Sequence, residues 1–144
     1  MPMIVVTGGE SFMPSGMNKN GTQKLTGSWT EITGWTADTD NYPGSTLSGN
    51  GLRAQGSKPN ASVNATLAFS GASGTGPTQQ ARILVNGTVV ATGQQLIGAS
   101  GTLTASATVA LNEGDVITVQ AFGTAQLSGW ESTISAAGSH VRIT

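Results

Sequence analysis

The chain has 144 residues, enough for one ordinary domain, with a formal net charge of -1 and no cysteine, which excludes a disulfide framework, a thiolate metal site, a thiol nucleophile and a basic footprint for nucleic acid. Charged residues make up 9% of it, against about 25% in a typical soluble domain, so Ser, Thr, Gly, Asn and Gln must cover the surface, and little keeps separate copies apart. Val, Leu, Ile and Phe supply only about a fifth of the residues, which predicts a thin core, but the near-zero net charge lacks the self-repulsion of a disordered chain.

In chain order, residues 1–7 (MPMIVVT) are apolar but have neither the basic start nor the long hydrophobic core of a secretory signal. No later apolar run approaches the roughly 20 residues that cross a bilayer, so neither conventional secretion nor membrane insertion is expected. Residues 1–24 stand apart from the rest: Ile4, Val5 and Val6 are strand-like, and Phe12, Met13 and Met17 follow among Gly8, Gly9, Pro14, Gly16 and Gly21. They read either as a first strand folded onto the domain or as an arm, from Ile4 to Met17, that becomes ordered against a neighbouring protein.

Residues 25–144 read as strands. Residues 25–35 form the first, with a parity shift between Trp29 and Ile32 that predicts a bulge or a bend from one sheet to another. A long loop rich in turn formers spans 37–48, and a short strand follows at 51–55. Val63, Ala65, Leu67 and Phe69 alternate cleanly, and residues 71–78 are a flexible Gly/Ser/Thr turn. Asn86-Gly87 between residues 81–85 and 88–92 predicts a hairpin, because both central residues of a type I′ turn need positive φ.

Residues 102–122 carry the most explicit pattern. Leu103, Ala105, Ala107, Val109 and Leu111 alternate with Thr102, Thr104, Ser106 and Thr108, as in a strand with one buried face. Asn112-Glu113-Gly114-Asp115 makes a turn, and Val116, Ile117, Val119, Ala121 and Phe122 form a strand apolar on both sides, as expected in the middle of a two-layer core. Ile134 follows, and then Val141 and Ile143 point one way while His140 and Arg142 point the other. Eight to ten short strands, with no helical period and no internal repeat, predict an all-β sandwich, jelly roll or barrel.

Reactive constellations are scarce. His140 is the one histidine; Glu131 or Ser139 could join it in proton transfer, but there is no G-x-S-x-G elbow, and an ordinary strand or interface histidine is expected. Asp38, Asp40, Glu31, Glu113, Asp115 and Glu131 fall in turns and strand ends, where carboxylates are solvated rather than paired for glycoside hydrolysis. Asp38-Thr39-Asp40-Asn41 has oxygen ligands at calcium-loop spacing but lacks the Gly and closing Glu of that loop, leaving an Asx-rich turn. The sequons at Asn20, Asn60, Asn64 and Asn86 are chance matches in a Ser/Thr-rich chain. No catalytic residue, metal or cofactor is therefore expected. The candidate binding residues are Trp130 and Tyr42, aromatics in loops, whose rings either pack on the domain or the next subunit or stack on sugar.

Two sets of motifs carry family resemblances. Trp29, Thr30 and Ile32, the loop Asp40-Asn41-Tyr42-Pro43-Gly44, and Leu111, Gly114, Asp115, Ile117 and Val119 resemble the trimeric jelly roll of tumour necrosis factor ligands and globular complement heads, over residues 25–144. The resemblance implies a homotrimer in which the sheet holding the first and last strands faces the three-fold axis. That sheet is expected to include residues 25–35, 115–122 and 140–144. The runs GWTADTDNYPGST (34–46) and ILVNGTVVAT (83–92) are similar to small virion proteins of tailed phages infecting actinobacteria. This implies a non-enzymatic minor tail protein, or a decoration protein on the capsid surface, made in the bacterial cytoplasm. On such a particle the apolar, glycine-rich stretch from Ile4 to Met17 is expected to contact other virion proteins, and the alternative function is a module that recognises host-surface glycan.

Overall fold

Alternation of apolar and polar residues governs the longest elements of the computed structural model, which describes residues 11–144. In chain order these are β1 (Ser15–Lys19), β2 (Gln23–Lys24), β3 (Thr30–Glu31), β4 (Trp35–Ala37), β5 (Leu47–Ser48), β6 (Gly51–Arg53), β7 (Lys58–Ser70), β8 (Thr78–Val85), β9 (Thr88–Thr92), β10 (Leu96–Ile97), β11 (Gly101–Leu111), β12 (Val116–Thr124), β13 (Thr133–Ile134) and β14 (His140–Ile143). In β7 the side chains of Ala61, Val63, Ala65, Leu67 and Phe69 are buried, and in β11 Leu103, Ala105 and Leu111 are buried while Thr102, Thr104, Ser106 and Thr108 are exposed.

The strands form two antiparallel sheets. In the first, β14 and β13 share one edge of β7, at residues 63–66 and 69–70, and β11 runs along the other edge from Lys58 to Phe69. Beyond β14 lie β1 and then β4, and β2 lies beyond β13. In the second sheet β8 and β12 are central; β9 and β10 flank β8, and β6 and β3 flank β12. Met17, Leu25, Ile32, Leu52, Val63, Leu67, Ile83, Leu103, Ile117, Ile134 and Ile143 fill the space between the sheets, and each such burial stabilises by about 1.5–3 kcal/mol. The all-β expectation holds, and so does the hairpin: Asn86 (φ 49°) and Gly87 (φ 84°) join β8 to β9.

Four readings change. Residues 25–35 are not one strand, because β2 and β4 belong to the first sheet and β3 to the second; the parity shift marks a crossing between layers. Residues 115–122 do not share a sheet with residues 140–144, since the 112–115 turn carries the chain from β11 in the first sheet to β12 in the second. β12 is central but has one core face: Ile117, Val119 and Ala121 are buried, while Phe122 points outward and is covered by Trp29. The division at residue 24 also shifts. β1 pairs with both β14 and β4, and Met17 is fully buried, so residues 15–24 take the own-sheet alternative and Met17 cannot serve as an attachment surface. Ile4, Val5 and Val6 lie outside the described residues.

Candidate functional site

The outward side of the first sheet is built from the polar halves of alternating strands. Thr104, Thr66, His140 and Asn18 make one row across β11, β7, β14 and β1, and Ser106, Asn64, Arg142 and Gly16 make the next. Ser106 Oγ donates to Asn64 Oδ1 at 2.7 Å, and Asn64 Nδ2 donates to Ser62 Oγ at 3.1 Å. The β11 half of this surface carries no charge.

Charge concentrates where the loop after β4 folds over β1. Arg142 Nη1 donates to the carbonyls of Met17 and Val141, both at 3.0 Å, and Nη2 donates to Asn18 Oδ1 at 2.8 Å. Nη2 also lies 3.3 Å from Asp38 Oδ2 in an ion pair, with the Asp38 side chain 5% exposed. Burial alone would raise the Asp38 carboxyl; the hydrogen bonds from the Asn41 side chain and backbone, the Arg142 charge and the Asn18 amide outweigh it and hold the carboxyl below its ordinary value. Tyr42 closes the group, with the Arg142 guanidinium carbon 5.0 Å from its ring centroid. The ring rests on Gly16, where an added Cβ would come within 2.5 Å of Tyr Cδ2, so β1 needs glycine at this point. Gly16 N donates to Ser45 Oγ at 3.0 Å, and Ser45 Oγ donates to the Tyr42 carbonyl at 2.7 Å.

Beside this group, His140 has a buried Nδ1 with no hydrogen-bond partner among the described residues. Desolvation, followed by the Arg142 charge, pushes its pKa down against a smaller upward pull from Asp38. A neutral imidazole is therefore the resident form at neutral pH. Among the described residues no three His, Asp or Glu side chains gather into a metal-binding group.

Solved structures share this architecture. Eiger TNF from S. frugiperda aligns with a TM-score of 0.60 at 11% identity, over 93% of this chain and 92% of that one. Murine APRIL aligns at pH 8.5 with a TM-score of 0.58 at 15% identity, over 92% and 98%, and at pH 8.0 with 0.57 at 14% identity, over the same shares. The fold is a tumour necrosis factor-type jelly roll. No protein-family model and no curated protein sequence matches the chain.

Within this jelly roll the two expected binding aromatics are kept apart. Tyr42 sits over β1, on the β4 side of the first sheet, half-buried and engaged by Arg142. Trp130 precedes β13 at the opposite end of the strand order and is 39% exposed. Its carbonyl accepts from Ser73 N at 2.9 Å, and its ring lies against Gly74, so it braces the 71–75 loop. Exposed Leu127 lies in the same loop, and a cleft of about 330 Å³ lies between residues 24–27 and Ser128, Gly129 and Glu131. Sequence reasoning missed the Arg142–Asp38 pair, because the partners are distant in the chain and neither has a local motif. The only signal was that Arg142 and His140 share the outward parity of β14.

Proposed function

We propose that the chain is a non-enzymatic structural subunit that assembles as a homotrimer on a phage tail. The observation that carries self-association is β11: eleven residues, GTLTASATVAL, without a charge or a proline, on an edge of the first sheet that no other described strand pairs with. Natural sheets blunt such edges with Lys, Pro or a covering segment, and an unblunted one calls for a neighbour. Among the described residues only Gly93, at the end of β9, covers this edge, at the Thr104 carbonyl; that contact sets the edge of the second sheet beside it, where Val89 and Val90 of β9 are exposed. An uncharged edge on one subunit against a flat, weakly charged face on the next makes a head-to-tail contact, which gives a closed ring of three when the rotation between subunits is a third of a turn. The tumour necrosis factor-type fold supports the same arrangement, with β1 and β14 in the sheet toward the axis.

Placement on a tail rests on the similarity of residues 34–46 and 83–92 to small phage virion proteins. A capsid decoration protein has the same support. Host-glycan recognition is a further reading, favoured by the exposure of Trp130. Light scattering on the purified chain should return three times 14.4 kDa; a folded monomer at micromolar concentration would refute the assembly. Antibody labelling of particles under the electron microscope should decorate tails. Labelled heads would select the capsid reading, and unlabelled particles would remove both.

A further inference from the structure

The outward face of the second sheet brings together side chains from three separate parts of the sequence. Across β8 and β12, Gln80 lies opposite Phe122 and Arg82 opposite Gln120, and Gln120 lies opposite Glu31 of β3. Trp29, just before β3, folds onto this face and meets Phe122 edge-on, with centroids 4.7 Å apart and an interplanar angle of 76°. The Arg82 guanidinium carbon stacks 4.2 Å from the Trp29 ring centroid, and Arg82 Nε donates to Gln120 Oε1 at 2.8 Å. The guanidinium is thus held on two sides, while its terminal nitrogens have no hydrogen-bond or ion-pair partner among the described residues. Glu31 is two strands away along the same row, and its Oε2 accepts from Asn50 at 3.1 Å.

An arginine that is stacked, oriented and unpaired is arranged to take a carboxylate through two parallel N–H donors. Around it, Gln120 keeps its amide N–H groups free, Gln80 uses its own amide nitrogen on the Gly93 carbonyl and keeps its oxygen, and the aromatic pair supplies an apolar edge. We propose that this face binds an acidic saccharide, with a uronate carboxylate on Arg82, hydroxyls on Gln80 and Gln120, and the sugar ring against Trp29 and Phe122. A peptide fits less well. β8 and β12 have both edges paired, so no strand can be added there, and strand addition needs a free edge. The site lies on the sheet opposite the proposed trimer face and does not depend on the trimer or the virion reading.

The test is calorimetric titration of the full chain with oligogalacturonate, with neutral maltoheptaose and poly-glutamate in parallel. Oligogalacturonate should bind, should weaken with added salt, and should lose about tenfold or more in affinity in Arg82→Gln. Trp29→Phe should weaken binding several-fold. In the unsubstituted protein the Arg82 Nε–H resonance should move during the titration, which locates the site even if a variant folds poorly. No binding at millimolar oligogalacturonate, equal binding of maltoheptaose, tighter binding of poly-glutamate, or an unmoved Arg82 resonance would each overturn the proposal.

Discussion

Arg142 in the last strand and Asp38 after β4 form an ion pair at 3.3 Å, the one ion pair among the described residues, and it fastens the loop carrying Tyr42 onto the first strand. Arg142→Met would leave the buried Asp38 carboxylate without its charge partner and free two backbone carbonyls. A loss of about 2–3 kcal/mol is expected, below the figure for a fully buried pair because Arg142 is partly exposed. Denaturant unfolding of the variant checks it, and an unchanged midpoint would mean that the pair contributes nothing.

The same group sets a pH dependence. The Asp38 carboxyl is depressed in the folded state, so its contribution is complete above the unfolded value of about 3.9 and is lost as pH falls through the folded value. His140 is also depressed; its contribution is complete above the unfolded value of about 6.5 and declines as pH falls below it. Melting temperature should therefore begin to fall below about pH 6.5 and fall further below about pH 4. His140→Gln should flatten the upper part of that decline and Asp38→Asn the lower part.

Ser106 is exposed at the middle of β11. Ser106→Lys places a charge on this edge strand without touching the core, so it should dissociate the assembly to 14.4 kDa while leaving the unfolding of the monomer cooperative. Light scattering and circular dichroism together read both outcomes. Retention of the larger mass would exclude this edge from the interface.

Deleting residues 1–21 removes β1, which lies between β14 and β4, and with it the fully buried Met17. The truncated chain should fail to fold, whereas deletion of residues 1–10 leaves every described strand in place. Two cooperative melting curves would show that β1 is dispensable.

Trp130→Ala should cost only about 1 kcal/mol, because the ring is already 39% exposed. Proteolysis at the 71–75 loop should rise, since the ring rests on Gly74. Loss of adsorption to host cells with an unchanged melting temperature would instead favour glycan recognition by this loop.

The sequence by itself determined which residues of β7, β11 and β14 face the core and where the β8–β9 hairpin turns. Side-chain parity and the positive φ of Asn86-Gly87 are properties of a few consecutive residues. Only the tertiary structure decided which strands share a sheet. The parity of residues 25–35 signals a bend but not its destination, and the 112–115 turn looks the same whether it closes a hairpin or crosses between layers. The side-chain groups belong to that second class as well. Arg142 with Asp38, and Arg82 with Trp29 and Phe122, meet only because strands far apart in the chain lie in register, and register comes from long-range pairing that no local window contains.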